Sequence, residues 1–184
     1  MFNSLQFQQA AERLDLVSPT ITNLLKNWQS TVPVNEILVA KIDPSFAGGK
    51  ELCEQYGVSP DEGAICVIVE AIRGQNRTLA ACVALVNYRI DFNGIVRKTL
   101  NARRVSLAPI EEVLKETQME YGSVTPIGLP ADWPILIDER VVQAPRIIIG
   151  SGLVNAKLSL PSKVLAELNG AKIISGLGVS AAQL

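Results

Sequence analysis

Between Tyr121 and Trp133 the chain carries Gly122-Ser123-Val124-Thr125-Pro126-Ile127-Gly128, two glycines and a proline within seven residues. Glycine allows left-handed backbone and close approach of a ligand, and proline fixes the turn, so backbone N–H groups can be presented rigidly. Amides held in that way stabilise the oxyanion formed when an ester is attacked. The same residues would also serve as a plain structural turn. A second pair of glycines, Gly150-Ser151-Gly152, follows the apolar run RIII. It lacks the later glycine of a dinucleotide fingerprint and the Gly-Lys-Ser/Thr of a phosphate loop, so it reads as a sharp turn or as a backbone-lined wall.

Charged residues in apolar settings are the next candidates. Asp138 ends the run PILID, and Lys157 sits inside VNAKLSL; each is either functional or a solvated strand end. Arg97, Lys98, Arg103 and Arg104 form a local basic cluster, either a phosphate contact or a solvated face. The three cysteines, Cys53, Cys66 and Cys82, have no CxxC spacing and read as buried free thiols. Asn76-Arg77-Thr78 matches a glycosylation sequon but reads as a turn. No histidine occurs anywhere in the chain. Ser-His-Asp triads, Cys-His dyads and HExxH zinc sites are therefore excluded. Chemistry is left to carboxylates, lysine, hydroxyls, thiols, backbone amides or the substrate.

The elements that must position these residues follow from apolar periodicity. With 184 residues, 48% of them hydrophobic and 19% charged, the chain has enough apolar material for one core. The net charge of −1 gives no global basic field, so any RNA is touched locally and DNA is not an expected partner. No apolar run approaches a membrane span and the N-terminus does not resemble a signal peptide, which predicts a cytoplasmic protein without a membrane partner.

Phe7, Ala10, Ala11 and Leu14 repeat at helical spacing, and Ser18-Pro19 caps a second helix carrying Ile21, Leu24, Leu25 and Trp28. NEILVAKI (35–42) reads as a strand and 50–56 as a helix stopped at Gly57. ICVIVEAI (65–72) and TLAACVALV (78–86) are apolar on both faces and predict a buried hairpin, with Ile65, Val67, Ile68, Val69, Ala81, Val83 and Leu85 inside. Asp91 caps a helix, 104–107 is a short strand and Pro109 opens another helix. Strands are expected at 134–138, 146–150 and 156–160, before a helix opened by Pro161. Mixed elements without regular βαβ repetition predict an α+β fold with a mixed, curved sheet and flanking helices.

In their order these segments resemble the YbaK and prolyl-tRNA-synthetase editing-domain family over roughly residues 43–175. They are Asp43-Pro44, QYGVSPDE, the hairpin, NARRVSLAPIEEV, GSVTPIG, PILID and IIIGSGLVNAKLSLPSKVLAEL. The resemblance implies residues 1–34 as a helical extension packed on an editing domain of residues 35–184. It also implies hydrolysis of a mischarged aminoacyl-tRNA ester with no cofactor, no metal and no protein nucleophile. The partners it implies are the aminoacyl-tRNA 3′ end and an aminoacyl-tRNA synthetase. Gly122, Thr125, Pro126 and Gly128 would be catalytic; Ile65, Cys66, Asp138, Gly150, Ser151, Gly152 and Lys157 would bind substrate.

Two departures stand out. Ile65-Cys66 occupies the point where the family carries a functional lysine, and Lys157 stands where the best-known deacylase has an aspartate. Lys157 could replace the missing cation and answer the terminal phosphate. The readings that follow are a trans-acting deacylase, a non-catalytic relative binding an aminoacyl group, nucleotide or protein, and an unrelated enzyme on the same scaffold.

Overall fold

The computed structural model describes residues 4–180. Strands β1 (Gln8–Gln9) and β2 (Leu38–Lys41) flank helix α1 (Pro19–Lys26), and α2 (Gly49–Tyr56) leads into the long strands β3 (Ala64–Arg73) and β4 (Asn76–Leu85). Then come β5 (Tyr88–Ile90), a π-helical turn running into α3 (Arg97–Thr99), β6 (Arg104–Leu107) and α4 (Ile110–Thr117). After the glycine-rich loop follow β7 (Ile135–Asp138), α5 (Glu139–Gln143), β8 (Arg146–Gly150), β9 (Ala156–Pro161), α6 (Lys163–Ala166), β10 (Ala171–Ile174) and β11 (Gly178–Ser180).

The apolar hairpin pairs over its whole length, from Ala64 against Leu85 to Arg73 against Asn76, and forms the centre of a mixed sheet ordered β10-β7-β4-β3-β6. β7 runs parallel to both β4 and β10. A second, antiparallel sheet has the order β1-β2-β9-β8, and β5 and β11 form a small ribbon. The principal core lies between the two larger sheets, where Ile68, Ala81, Val83 and Ile137 meet Val39, Ile149 and Leu158. The other face of the five-stranded sheet is covered from the π-helical turn, and α2 covers the other face of the second sheet. This is the expected α+β architecture. The two sheets meet where Gly63 bridges Ile148 and the Ile148 amide donates to Glu62 O at 2.7 Å.

Four features differ from the sequence reading. Residues 8–16 form β1 and two 3-10 turns rather than an amphipathic helix. So short a segment nucleates a helix poorly, and pairing with β2 satisfies its backbone instead. The hairpin turn is tighter than expected, with Gly74 at φ +62° between strands that reach Arg73 and Asn76. β5, β10 and β11 are short strands with no strong alternation to announce them. Finally, Ile65 and Val67 are half-buried, whereas Ile68, Val69, Ala81, Val83 and Leu85 are buried. The reason is an open edge: β6 pairs with β3 only over Val69–Ile72, so the first half of β3 has β4 on one side and no strand on the other.

Candidate active site

That open edge is one wall of a cavity of about 460 Å³. Ile65, Cys66 and Val67 of β3 line it, facing Ile149, Gly150 and Lys157 of the second sheet. Gly122 and Val124 of the glycine-rich loop, Val113 of α4, and Gly48 and Gly49 at the start of α2 complete it. Leu107, Ile110 and Tyr121 line its mouth, and all three are unusually exposed for large apolar residues, Tyr121 at 75%.

The two glycine motifs are packed on each other. A Cβ on Gly150 would lie 2.5 Å from Ser123 O and 3.1 Å from Val124 O, so only glycine allows the strand end to approach the loop. Gly152 N donates to Ser123 O at 3.0 Å, Glu120 N to Gly152 O at 2.8 Å, and Ser123 Oγ to Leu153 O at 2.7 Å. This lattice fixes the loop, with Gly122 at φ +83°. Among the described residues no backbone hydrogen bond engages the amides of Gly122 and Val124. Both residues line the cavity, so their amides are candidate donors to a ligand.

Lys157 is only 5% exposed, and its Nζ donates to Ala47 O at 2.7 Å. Its cross-strand neighbours are Gly150 on β8 and Ala40 on β2, so the buried middle of the second sheet fixes where it emerges. It makes no ion pair among the described residues, and burial lowers its pKa to about 8. Burial also pushes the Cys66 thiol well above the usual range, with a smaller contribution from Cys82, so the cavity's one sulfur stays protonated. No group of three His, Cys, Asp or Glu able to hold a metal occurs among the described residues.

Not every candidate reaches the cavity. Thr125 and Pro126 are buried behind the loop, and Thr125 Oγ1 has no hydrogen-bond partner. Gly128, at φ +80°, packs on the Thr20 backbone of α1. Ser151 is buried, its Oγ bonding to the carbonyls of Leu153 and Ala156 and its own carbonyl accepting from Ser18 N at 3.0 Å. Gly152 abuts Ser18, the N-cap of α1, where a Cβ would lie 2.5 Å from the side chain. The N-terminal segment thus buttresses both loops. Asp138 lies at the far end of β7, accepting from Arg140 N at 3.0 Å and Gly178 N at 2.7 Å, and ties α5 to β11. Gly48, Gly49 and Tyr121 line the cavity without having been singled out; the Gly48-Gly49 pair ahead of a helix was the available signal. The basic residues at 97, 98, 103 and 104 do not line it.

A family model described as the aminoacyl-tRNA editing domain matches residues 43–168. The uncharacterised protein YwhH of Bacillus subtilis (strain 168) is 28% identical over 135 residues, spanning 73% of this chain and 83% of YwhH. Among solved structures, the hypothetical protein APE2540 superposes with a TM-score of 0.71 at 21% identity, covering 87% of this chain and 99% of that one. A proposed trans-editing enzyme for prolyl-tRNA synthetase gives a TM-score of 0.68 at 20% identity, covering 86% and 97%. At such identities the structural likeness speaks for the fold alone.

Proposed function

The chain belongs to the aminoacyl-tRNA editing-domain family, and from that premise we propose that its cavity receives the aminoacylated 3′ end of a tRNA and hydrolyses the ester in trans. The observation that carries this reading is the pair of unengaged amides, Gly122 and Val124, on the wall of an apolar cavity closed by Gly150. Water adds to the ester carbonyl, the amides stabilise the oxyanion, the bond to the ribose oxygen breaks, and that oxygen takes the proton. The protonated state of Cys66 argues against a thiolate nucleophile. Thr125, Pro126, Gly128, Ser151 and Gly152 then act by holding the two loops, and Asp138 by holding the end of β7.

Lys157 supplies positive charge to the bound end. Its near-complete burial in an apolar cavity favours a contact with the acyl group, while a fully ionised phosphate would keep its hydration at the mouth. Exposed Tyr121 at that mouth is suited to stacking on the terminal base.

The test is deacylation of a panel of aminoacylated tRNAs, paired with binding of a non-hydrolysable amide-linked analogue of the aminoacyl-adenosine end. The proposal expects release of at least one amino acid well above the spontaneous rate. Binding without release would support the non-catalytic reading, which the absence of a cation at Ile65 favours. Neither binding nor release would remove both.

A further inference from the structure

The charges facing the cavity are one-sided. Among the described residues Lys157 is the one charged side chain on its wall, and no aspartate or glutamate lines it. The N-terminus of α2 adds amides without a side-chain cap behind its N-cap Gly48, their partial positive charge offset in part by Glu51 in the first turn. Of the acids on neighbouring elements, Glu51 stands beside the cavity-lining Gly48, and the others are engaged by other groups or exposed. The Glu51 carboxylate lies against Gly48 in the first helical turn, Glu112 is held by Arg77, Glu120 accepts from Val154 N, and Glu62 is exposed. None of the four lines the cavity.

An ammonium has three donors, and Ala47 O uses one of them. The others call for an acceptor from the ligand. An ordinary aminoacyl ester offers the opposite next to its carbonyl: an α-ammonium, which a buried lysine repels strongly in a low-dielectric site. An ester whose α-nitrogen is acylated has lost that charge and gained an amide carbonyl.

We propose that this cavity selects aminoacyl esters whose α-nitrogen is blocked by a small acyl group such as formyl or acetyl, the amide carbonyl accepting from Lys157 Nζ. The inference rests on the ester-hydrolysis reading above and specifies its substrate class. The bond changes are those already given; the blocking amide takes no part in them. The apolar walls and a volume of about 460 Å³ accommodate an acyl chain together with the blocking group.

The experiment compares kcat/KM for one aminoacyl-tRNA and its N-acetyl derivative at about pH 6.5, where both Lys157 and most of the free α-amine are protonated. Wild-type protein should prefer the blocked ester by at least about tenfold. Lys157→Met should bring the ratio towards one, and Lys157→Glu should reverse it in favour of the free amine. A wild-type preference for the free ester, or a ratio unchanged in folded Lys157→Met, would overturn the inference while leaving ester hydrolysis intact. If either variant fails to fold, the wild-type ratio decides. Hydrolysis of neither ester would overturn this inference and the functional reading together.

Discussion

At the scale of single residues, the burial of Lys157 is costly to the fold. Its pKa falls from 10.5 to about 8 through burial. Between those values the unfolded chain holds a proton that the folded chain has lost, so stability rises as pH climbs from about 8 to 10.5. The contribution is about 3 kcal/mol at most. Lys157→Met, apolar and of similar length, should therefore be at least as stable as wild type at pH 7 and should lack this rise, as denaturant melts across pH 7–10.5 would show. A wild-type profile with the same slope as the variant would mean that the lysine is solvated. The thiols give a second prediction. Burial is the leading cause raising Cys53, Cys66 and Cys82, with Cys82 pushed up to about 12. Alkylation near pH 8 should be slow at all three in the native protein and fast once it is unfolded.

At the scale of elements, the site depends on β8 and the glycine-rich loop meeting without a side chain between them. Gly150→Ala places a methyl 2.5 Å from Ser123 O, where backbone must move, and should cost about 1–3 kcal/mol of stability with a large loss of ester cleavage. Gly122→Ala meets no atom within 4 Å but imposes a side chain at φ +83°, for about 1–2 kcal/mol. Thermal melts and deacylation rates for the two variants would separate crowding from strain. How far these features could be read in advance depends on the range of the signal. The hairpin, the Asp91 cap on Gly94 and Ile95, and both glycine motifs were legible because propensity and local hydrogen bonding specify them. The half-exposure of Ile65 and Val67 was not, because it depends on β6 ending at Leu107, opposite Val69, a long-range fact. Nor could the sequence show that Asp138 stabilises a strand end while Lys157 enters the cavity; both are charges in apolar runs, and only the neighbouring strands distinguish them.

At the scale of the whole molecule, a net charge of −1 and a cavity with one cation among the described residues lead the proposed function to predict that affinity for tRNA comes from its end and not from a broad phosphate track. The dependence of log K on log salt concentration should be shallow, with a slope of magnitude about 1–2, against the steep slopes of proteins that neutralise many phosphates. A much steeper slope would implicate the cluster of Arg97, Lys98, Arg103 and Arg104 in an extended RNA contact. The most direct test of the cavity as the site is amide chemical-shift mapping during titration with amide-linked, non-hydrolysable analogues of the aminoacyl-adenosine end, in blocked and free-amine forms. The account predicts perturbations concentrated at Gly48–Gly49, Ala64–Val67, Gly122–Val124 and Gly150. Saturating analogue with no perturbation there, or with perturbations centred on residues 97–104, would contradict it.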